Sequence, residues 1–164
     1  MSKALERVKN KIFNKNNLLE KLEIWRGAKK KIVFTNGCFD LIHLGHIEVL
    51  ARSADLGDIL IIGVNTDSSI KELKGNNRPI IEENSRAQQL ASLEFVDAVI
   101  LFNEQTPLEL IKVIKPNVIT KGGDYNSEQV VGNEIAVKNE GEVIIIPLTH
   151  GYSTTSILDK IKND

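Results

Sequence analysis

The sequence predicts an α/β domain built on a doubly wound parallel sheet of five strands, preceded by a helical extension. Three observations carry that expectation. From Lys31 onward, short aliphatic runs alternate with amphipathic stretches of helix length. The run DILIIGVN is apolar at consecutive positions, as suits a strand covered on both faces. Glycine and polar residues concentrate in the segments that follow the expected strands, where such sheets bind ligands.

Residues 3–26 carry Leu5, Val8, Ile12, Leu18, Leu22 and Trp25 among lysines and glutamates, a spacing for one or two amphipathic helices broken near NKNN. Residues 1–30 are therefore expected as a helical extension and 31–164 as the main domain. KIVFTNG reads as the first strand, and LGHIEVLARSADLG as a helix closed by Gly57 in the C′ position. DILIIGVN is the second strand, NSRAQQLASLE the next helix and DAVILF the third strand. In TPLELIKVIK, Thr106 is the expected N-cap and Pro107 the first helical residue. NVITKG and EVIIIP supply two more strands, with EQVVGNEIAVKNEG as a helix between them. Hydroxyl residues open a final helix in YSTTSILDKIK.

Composition narrows the partners. The chain has 164 residues, of which 41% are apolar and 26% charged, the balance of an ordinary soluble globule. A formal net charge of -1 gives no reason to expect nucleic acid or an anionic membrane. A single cysteine, Cys38, excludes an internal disulfide and a cysteine-rich zinc site, and suits the reducing cytoplasm. No apolar run approaches the roughly 18 residues of a bilayer span, and MSKALERVKNKIFNKNN has no signal-peptide core. A soluble cytoplasmic protein is expected.

The loops placed at the carboxyl ends of the strands are TNGCFDLIHLGH, VNTDSS, TKGGDY and THGYSTTS. Neither G-x-G-x-x-G nor G-x-x-x-x-G-K-[ST] is present, which disfavours a hydride-transfer domain and a phosphate-loop NTPase. His43 and His46 flank Gly45 at a strand-to-helix turn, where free amides and the helix dipole attract anions. Two imidazoles there suit a phosphate clamp; metal ligation and local backbone capping are the alternatives. The third histidine, His150, is more than a hundred residues away. Ser153, Thr154, Thr155 and Ser156 offer a second anion site, or a simple helix cap. Lys121 with Gly122 and Gly123 combines a cation with close backbone approach, or forms a plain turn. Lys74 and Arg78 lie in a polar loop that serves equally as solvated surface.

Taken together, TNGCFDLIHLGH, GVNTD, KGNNRPI, SRAQQLASLEFVDAVI, KGGDY and GYSTTSIL run in order from about Lys31 to Ile161. This set resembles the cytidylyltransferase-like nucleotidyltransferases, and within them is most similar to the heptose 1-phosphate adenylyltransferases. GGDY and LTHG stand where glycerol-3-phosphate cytidylyltransferases typically carry G-D-D-W-like and R-T-E-G segments. Leu158 stands where the wider family often has arginine, a role left to Arg78 or Arg86.

The resemblance implies a Rossmann-like fold of the HxGH nucleotidyltransferase type. It implies transfer of AMP from ATP to D-glycero-D-manno-heptose 1-phosphate, giving ADP-heptose and pyrophosphate for lipopolysaccharide or another surface glycan. His43, His46 and Lys74 would be catalytic. Thr35, Asn36, Gly37, Cys38, Phe39, Asp40 and Gly45 would surround the nucleotide and its phosphates. Lys121, Gly122, Gly123, Asp124, Ser153, Thr154 and Thr155 would do so from the other side. Asn65, Asp67, Arg78, Arg86 and Tyr125 are the expected acceptor contacts, and Mg²⁺ would enter mainly on substrate phosphates. A separate heptose 7-phosphate kinase would supply the acceptor. The rival activities are a glycerol-3-phosphate or other polyol-phosphate cytidylyltransferase and a non-catalytic nucleotide-binding module. Two roles suit the N-terminal segment, a homodimer contact or packing on the sheet.

Overall fold

Among the described residues, six strands, all parallel, form one sheet in the order β1-β4-β3-β2-β5-β6. The computed structural model describes residues 2–149 and 151–163, so His150 lies outside the described residues. In chain order the elements are α1 (Lys3–Lys9), β1 (Ile12–Phe13), α2 (Lys15–Gly27), β2 (Ile32–Gly37) and α3 (Leu44–Ala54). Then come β3 (Ile59–Asn65), α4 (Asp67–Lys74), α5 (Glu83–Ala91), β4 (Ala98–Phe102) and α6 (Leu108–Ile114). β5 (Val118–Gly122), a 3₁₀ turn at Ser127–Gln129, α7 (Asn133–Lys138), β6 (Glu142–Ile146) and α8 (Thr154–Asn163) complete the chain.

Successive strand residues point to opposite faces, and both faces are packed. Ile32 and Phe34 join Ile61, Ile100, Ile111 and Ile119 on one side, while Val33 joins Leu50, Leu60, Ile62 and Leu90 on the other. β3 is buried at all seven positions, which is why its sequence shows no alternation.

The expected five strands are six. Ile12 and Phe13 pair with Val99 and Ile100 at the sheet edge, inside the segment expected to be helical. Two residues are too few to display a strand period, so the pattern around them reads as helix. Asn14 then caps α2, its side chain accepting from the Asn17 amide at 2.9 Å. Leu18 and Leu22 on α2 are fully buried in the same cluster as Phe34 and Ile61. α4 is a further addition: Thr66 caps it by accepting from the Ser69 amide, where the sequence suggests an open loop. The expected helix over EQVVGNEIAVKNEG is divided by Gly132, whose φ of 93° suits glycine. Among the described residues, no helix is long and apolar enough to cross a membrane.

The chain leaves β2 for β3 on one side and reaches β5 on the other, so the winding direction reverses between β2 and β5. β2 pairs with β3 over six residues but with β5 only at Val33–Val118 and Phe34–Ile119. Beyond those pairs the Thr35 hydroxyl donates to the Thr120 carbonyl at 3.1 Å. The carboxyl ends of β2 and β5 thus part at the switch point and leave a crevice.

Candidate active site

A cleft of about 680 Å³ opens at that crevice. The end of β2 (Thr35, Asn36 and Gly37) and the loop after it (Cys38 and Phe39) form its floor, followed by His43, Gly45 and His46 at the α3 start. Phe39 adopts a φ of 48°, turning its ring edge-on to His46 at a centroid distance of 5.4 Å. The His43 and His46 rings stack at 3.9 Å with 29° between their planes. Glycine brackets these rings at both ends. A Cβ on Gly37 would stand 3.1 Å from the Phe39 ring, and one on Gly45 would stand 3.2 Å from the His43 ring.

His43 occupies the N-cap position of α3 but its side chain makes no capping hydrogen bond, so backbone capping does not account for it. The Nδ1 atoms of His43 and His46 are buried without a partner among the described residues. Burial pushes the His43 imidazole below its ordinary range. His46 is pushed down to about 4, first by burial and then by the neighbouring His43 and Lys74 charges, against a smaller opposing effect of the Leu41 carbonyl. Both rings are therefore neutral near pH 7, each offering one N–H donor and one acceptor nitrogen. Among the described residues, no group of three or more His, Cys, Asp or Glu side chains is placed to hold a metal ion.

Three further loops complete the walls. Lys121 and Gly122 end β5, and Tyr125 follows. The Lys121 Nζ lies 6.0 Å from the Tyr125 ring centroid, and burial depresses its ammonium, opposed by Cys38. A Cβ on Gly122 would stand 3.1 Å from Val49, close enough to press β5 away from α3. Ser153 and Thr154 open α8; the Ser153 Oγ accepts from the Ser156 amide at 3.0 Å, so Ser153 caps the helix while facing the cleft. Asn65 at the end of β3 and Lys74 at the end of α4 stand opposite.

Several expected contacts lie elsewhere. Asp40 is buried, accepting from the Ile80 and Ile81 amides at 2.7 and 3.0 Å and from Arg78 at 2.5 Å. Arg86, expected as an acceptor contact, is fully buried and does not line the cleft. Its guanidinium donates to the Ile81 carbonyl at 2.9 Å, the Cys38 carbonyl at 2.5 Å and the Asp67 carboxylate at 2.7 Å. These two acid–arginine pairs tie the β2 loop to α4, α5 and the segment between them. They position the site instead of touching its contents. Gly123, Asp124 and Thr155 also fall outside the cleft lining. Gly123 has a φ of 134° and a Cβ there would meet Tyr125 at 2.7 Å, so it shapes the turn.

The cleft includes residues that the sequence does not assign to a site. Gln105, Thr106 and Pro107 follow β4, and Leu73, Val49, Val131, Leu148, Thr149 and Tyr152 supply the remaining walls. A signal for the first three exists, because they too follow the carboxyl end of a parallel strand. Thr149 donates its hydroxyl to Glu48, joining the segment after β6 to α3.

The sequence profile of the cytidylyltransferase-like family matches residues 34–160. The chain belongs to that family. Its cytidylyltransferase-like relatives include the bifunctional protein HldE of Bradyrhizobium sp. (strain ORS 278), 45% identical over 153 residues. That match covers 93% of this chain and 31% of the relative. The bifunctional protein HldE of a Nitratiruptor species is 52% identical over 134 residues, 82% of this chain and 28% of the relative. The chain thus spans about a third of the length of these curated relatives. A crystal structure of the lipopolysaccharide core biosynthesis protein from Thermoplasma volcanium GSS1 superposes with a TM-score of 0.59 at 32% identity. It covers 73% of this chain and 97% of its own. The cytidylyltransferase-like match begins at Phe34 and so takes in the whole ring stack, both bracketing glycines and the opening of α8.

Proposed function

We propose that the protein is a nucleotidyltransferase that moves AMP from ATP to D-glycero-D-manno-heptose 1-phosphate, within lipopolysaccharide or another surface-glycan synthesis. The observation that carries this is the stacked, neutral histidine pair with unpartnered nitrogens at a helix start, facing a cleft roomy enough for two phosphorylated ligands. A phosphate oxygen of the sugar phosphate attacks the α-phosphorus of ATP. The Pα–O bond to the β-phosphate breaks, and pyrophosphate leaves with that electron pair. The attacking oxygen is already ionised near neutral pH, so no general base is required. Catalysis is then positioning and charge stabilisation.

In this reaction His43 and His46 hold the α-phosphate and stabilise charge at phosphorus. Ser153 and Thr154 receive the leaving pyrophosphate at the start of α8, where the helix dipole favours anions. Lys74 and Lys121 supply cations on either side. Among the described residues the cleft offers hydroxyls, amides and ammonium groups but no acidic cage, a donor set that fits a polyphosphate bringing its own Mg²⁺. Mg²⁺ carried in on the substrate phosphates would supply charge neutralisation beside Lys74 and Lys121. A heptose 7-phosphate kinase activity, which residues 1–164 are not proposed to carry, supplies the acceptor.

Preference for ATP over CTP, and for a heptose over glycerol phosphate, rests on the resemblance in GGDY and LTHG. The test is a pyrophosphate-release screen of both nucleotides against heptose 1-phosphate anomers and glycerol 3-phosphate. Turnover with ATP and one heptose anomer is expected. Turnover with CTP and a polyol phosphate, or nucleotide binding with no turnover, would sink the proposal.

A further inference from the structure

The sheet order places the cleft's contents on two sides of the histidine pair. Lys121, Ser153 and Thr154 stand on the side of β5 and β6, while Asn65, Lys74 and Gln105 stand on the side of β3 and β4. In phosphoryl transfer the attacking and leaving oxygens lie roughly in line across phosphorus. With the α-phosphate at the pair and pyrophosphate leaving toward α8, the acceptor must arrive from the β3–β4 side. Its phosphate then meets Lys74, whose charge already reaches His46. The sugar body extends from there toward the loop after β4.

That loop is held in place by its own bonds. The Thr66 and Ser68 hydroxyls both donate to the Asn103 side-chain oxygen at 2.5 Å. The Thr66 amide donates to the Phe102 carbonyl at 3.0 Å, and the Ser69 hydroxyl to the Glu104 carbonyl at 3.3 Å. Ser69 is fixed in turn by the Asn65 side-chain Nδ2, which donates to its hydroxyl at 3.0 Å. Asn103 and Glu104 are thereby spent in anchoring the loop to α4. The next two residues, Gln105 and Thr106, line the cleft, and among the described residues their side chains make no hydrogen bond. An exposed carboxamide and hydroxyl on a tethered loop, with no protein partner among the described residues, match vicinal hydroxyl groups, since both can donate and accept. Leu73 and Pro107 beside them offer apolar flanks for the C–H face of a sugar ring.

We infer that Gln105 and Thr106 form the subsite that reads the hydroxyls of a polyhydroxylated sugar phosphate acceptor. This rests on the adenylyl-transfer function proposed above. The test uses Gln105→Leu and Thr106→Val, which remove the polar groups at nearly constant volume on an exposed loop, with Gln105→Asn retaining the amide on a shorter stem. KM for heptose 1-phosphate, KM for ATP and kcat are measured for each. Each apolar variant should raise the sugar-phosphate KM about 3- to 10-fold, the range for one lost hydrogen bond, with the ATP KM within about twofold of wild type. Gln105→Asn should fall between wild type and Gln105→Leu. An active wild type with unchanged sugar-phosphate KM in both apolar variants overturns the subsite alone, as does an equal rise in both KM values. A wild type inert toward every sugar phosphate overturns the proposed function and the subsite together.

Discussion

Gly45→Ala sets helix stability against site geometry. Gly45 lies in the first turn of α3, where alanine favours the helix by up to about 1 kcal/mol over glycine. The added Cβ would stand 3.2 Å from the Cε1 and Nδ1 of His43 and 3.5 Å from the Tyr152 Cβ. Carbon contacts are optimal at about 3.5–4.0 Å, so the imidazole must give by a few tenths of an ångström. The ring that gives is already stacked on His46 at 3.9 Å, so its displacement disturbs the pair. Misplacing a catalytic geometry by about 1 Å can cost about 10²-fold, so a smaller shift should cost about tenfold. The expected variant is as stable as wild type or slightly more so, with kcat about tenfold lower. Thermal unfolding followed by fluorescence of Trp25, with turnover by pyrophosphate release, reads both quantities. A kcat within twofold of wild type refutes the glycine's role in setting the pair. A loss of stability above about 1 kcal/mol would show that the contact strains the fold and not only the rings.

Other substitutions separate positioning from contact. Arg86→Lys keeps the charge but cannot serve three acceptors. With Asp67 partly exposed, a loss of about 2 kcal/mol is expected, less than the roughly 3–5 of a fully buried broken pair, and a urea midpoint within experimental error of wild type would refute it. His46→Ala should lower the single-turnover rate by about 10²–10³, the scale for one transition-state donor, and a threefold change would contradict that role. The same residue gives a pH dependence. Its folded pKa of about 4 lies below the ordinary 6.5, so the unfolded chain binds the proton first. Its contribution to stability is complete above about pH 6.5 and lost as pH falls toward 4. The stability gap between wild type and His46→Phe should shift against wild type over that interval in urea titrations, and a constant gap would contradict it. Ser153→Ala removes the α8 cap, worth about 1 kcal/mol, and should weaken ATP binding in calorimetry while sparing the sugar-phosphate KM. Equal losses in both would place α8 outside the nucleotide side.

The parts of the fold legible in the sequence are those with a local cause. β3 announces itself because seven consecutive buried positions demand apolar residues, and the histidine loop because its glycines and polar residues follow a strand. β1 is hidden because a two-residue strand has no period of its own and depends on Val99 and Ile100, far along the chain. Arg86 misleads for a related reason. The resemblance offers it for the family arginine's role because Leu158 stands in that place, but its partners at Cys38 and Asp67 are brought to it only by the folded sheet. Thr106 has the sequence context of a helix cap, and that local role conceals its place in the cleft wall. The helix in fact starts at Leu108, leaving Thr106 on the loop.

The use of imidazoles in the floor of this cleft follows from the charges around it. Lys74 and Lys121 already face it, and burial depresses the Lys121 ammonium. A third ammonium at the His46 position would add like-charge repulsion and desolvation with no acidic partner at hand. An imidazole avoids that cost by releasing its proton, in keeping with burial and the neighbouring His43 and Lys74 holding His46 well below its ordinary range. A polyphosphate lying against the pair changes the balance, because opposite charge favours the protonated ring. The stack is therefore neutral when the cleft holds only solvent and is drawn toward the protonated form when phosphate charge is present. Two lysines would be cationic in both conditions, repelling each other before any ligand arrived. Closely spaced histidines with depressed proton affinity are thus better suited to a clamp for a mobile polyanion than to a permanent cation site.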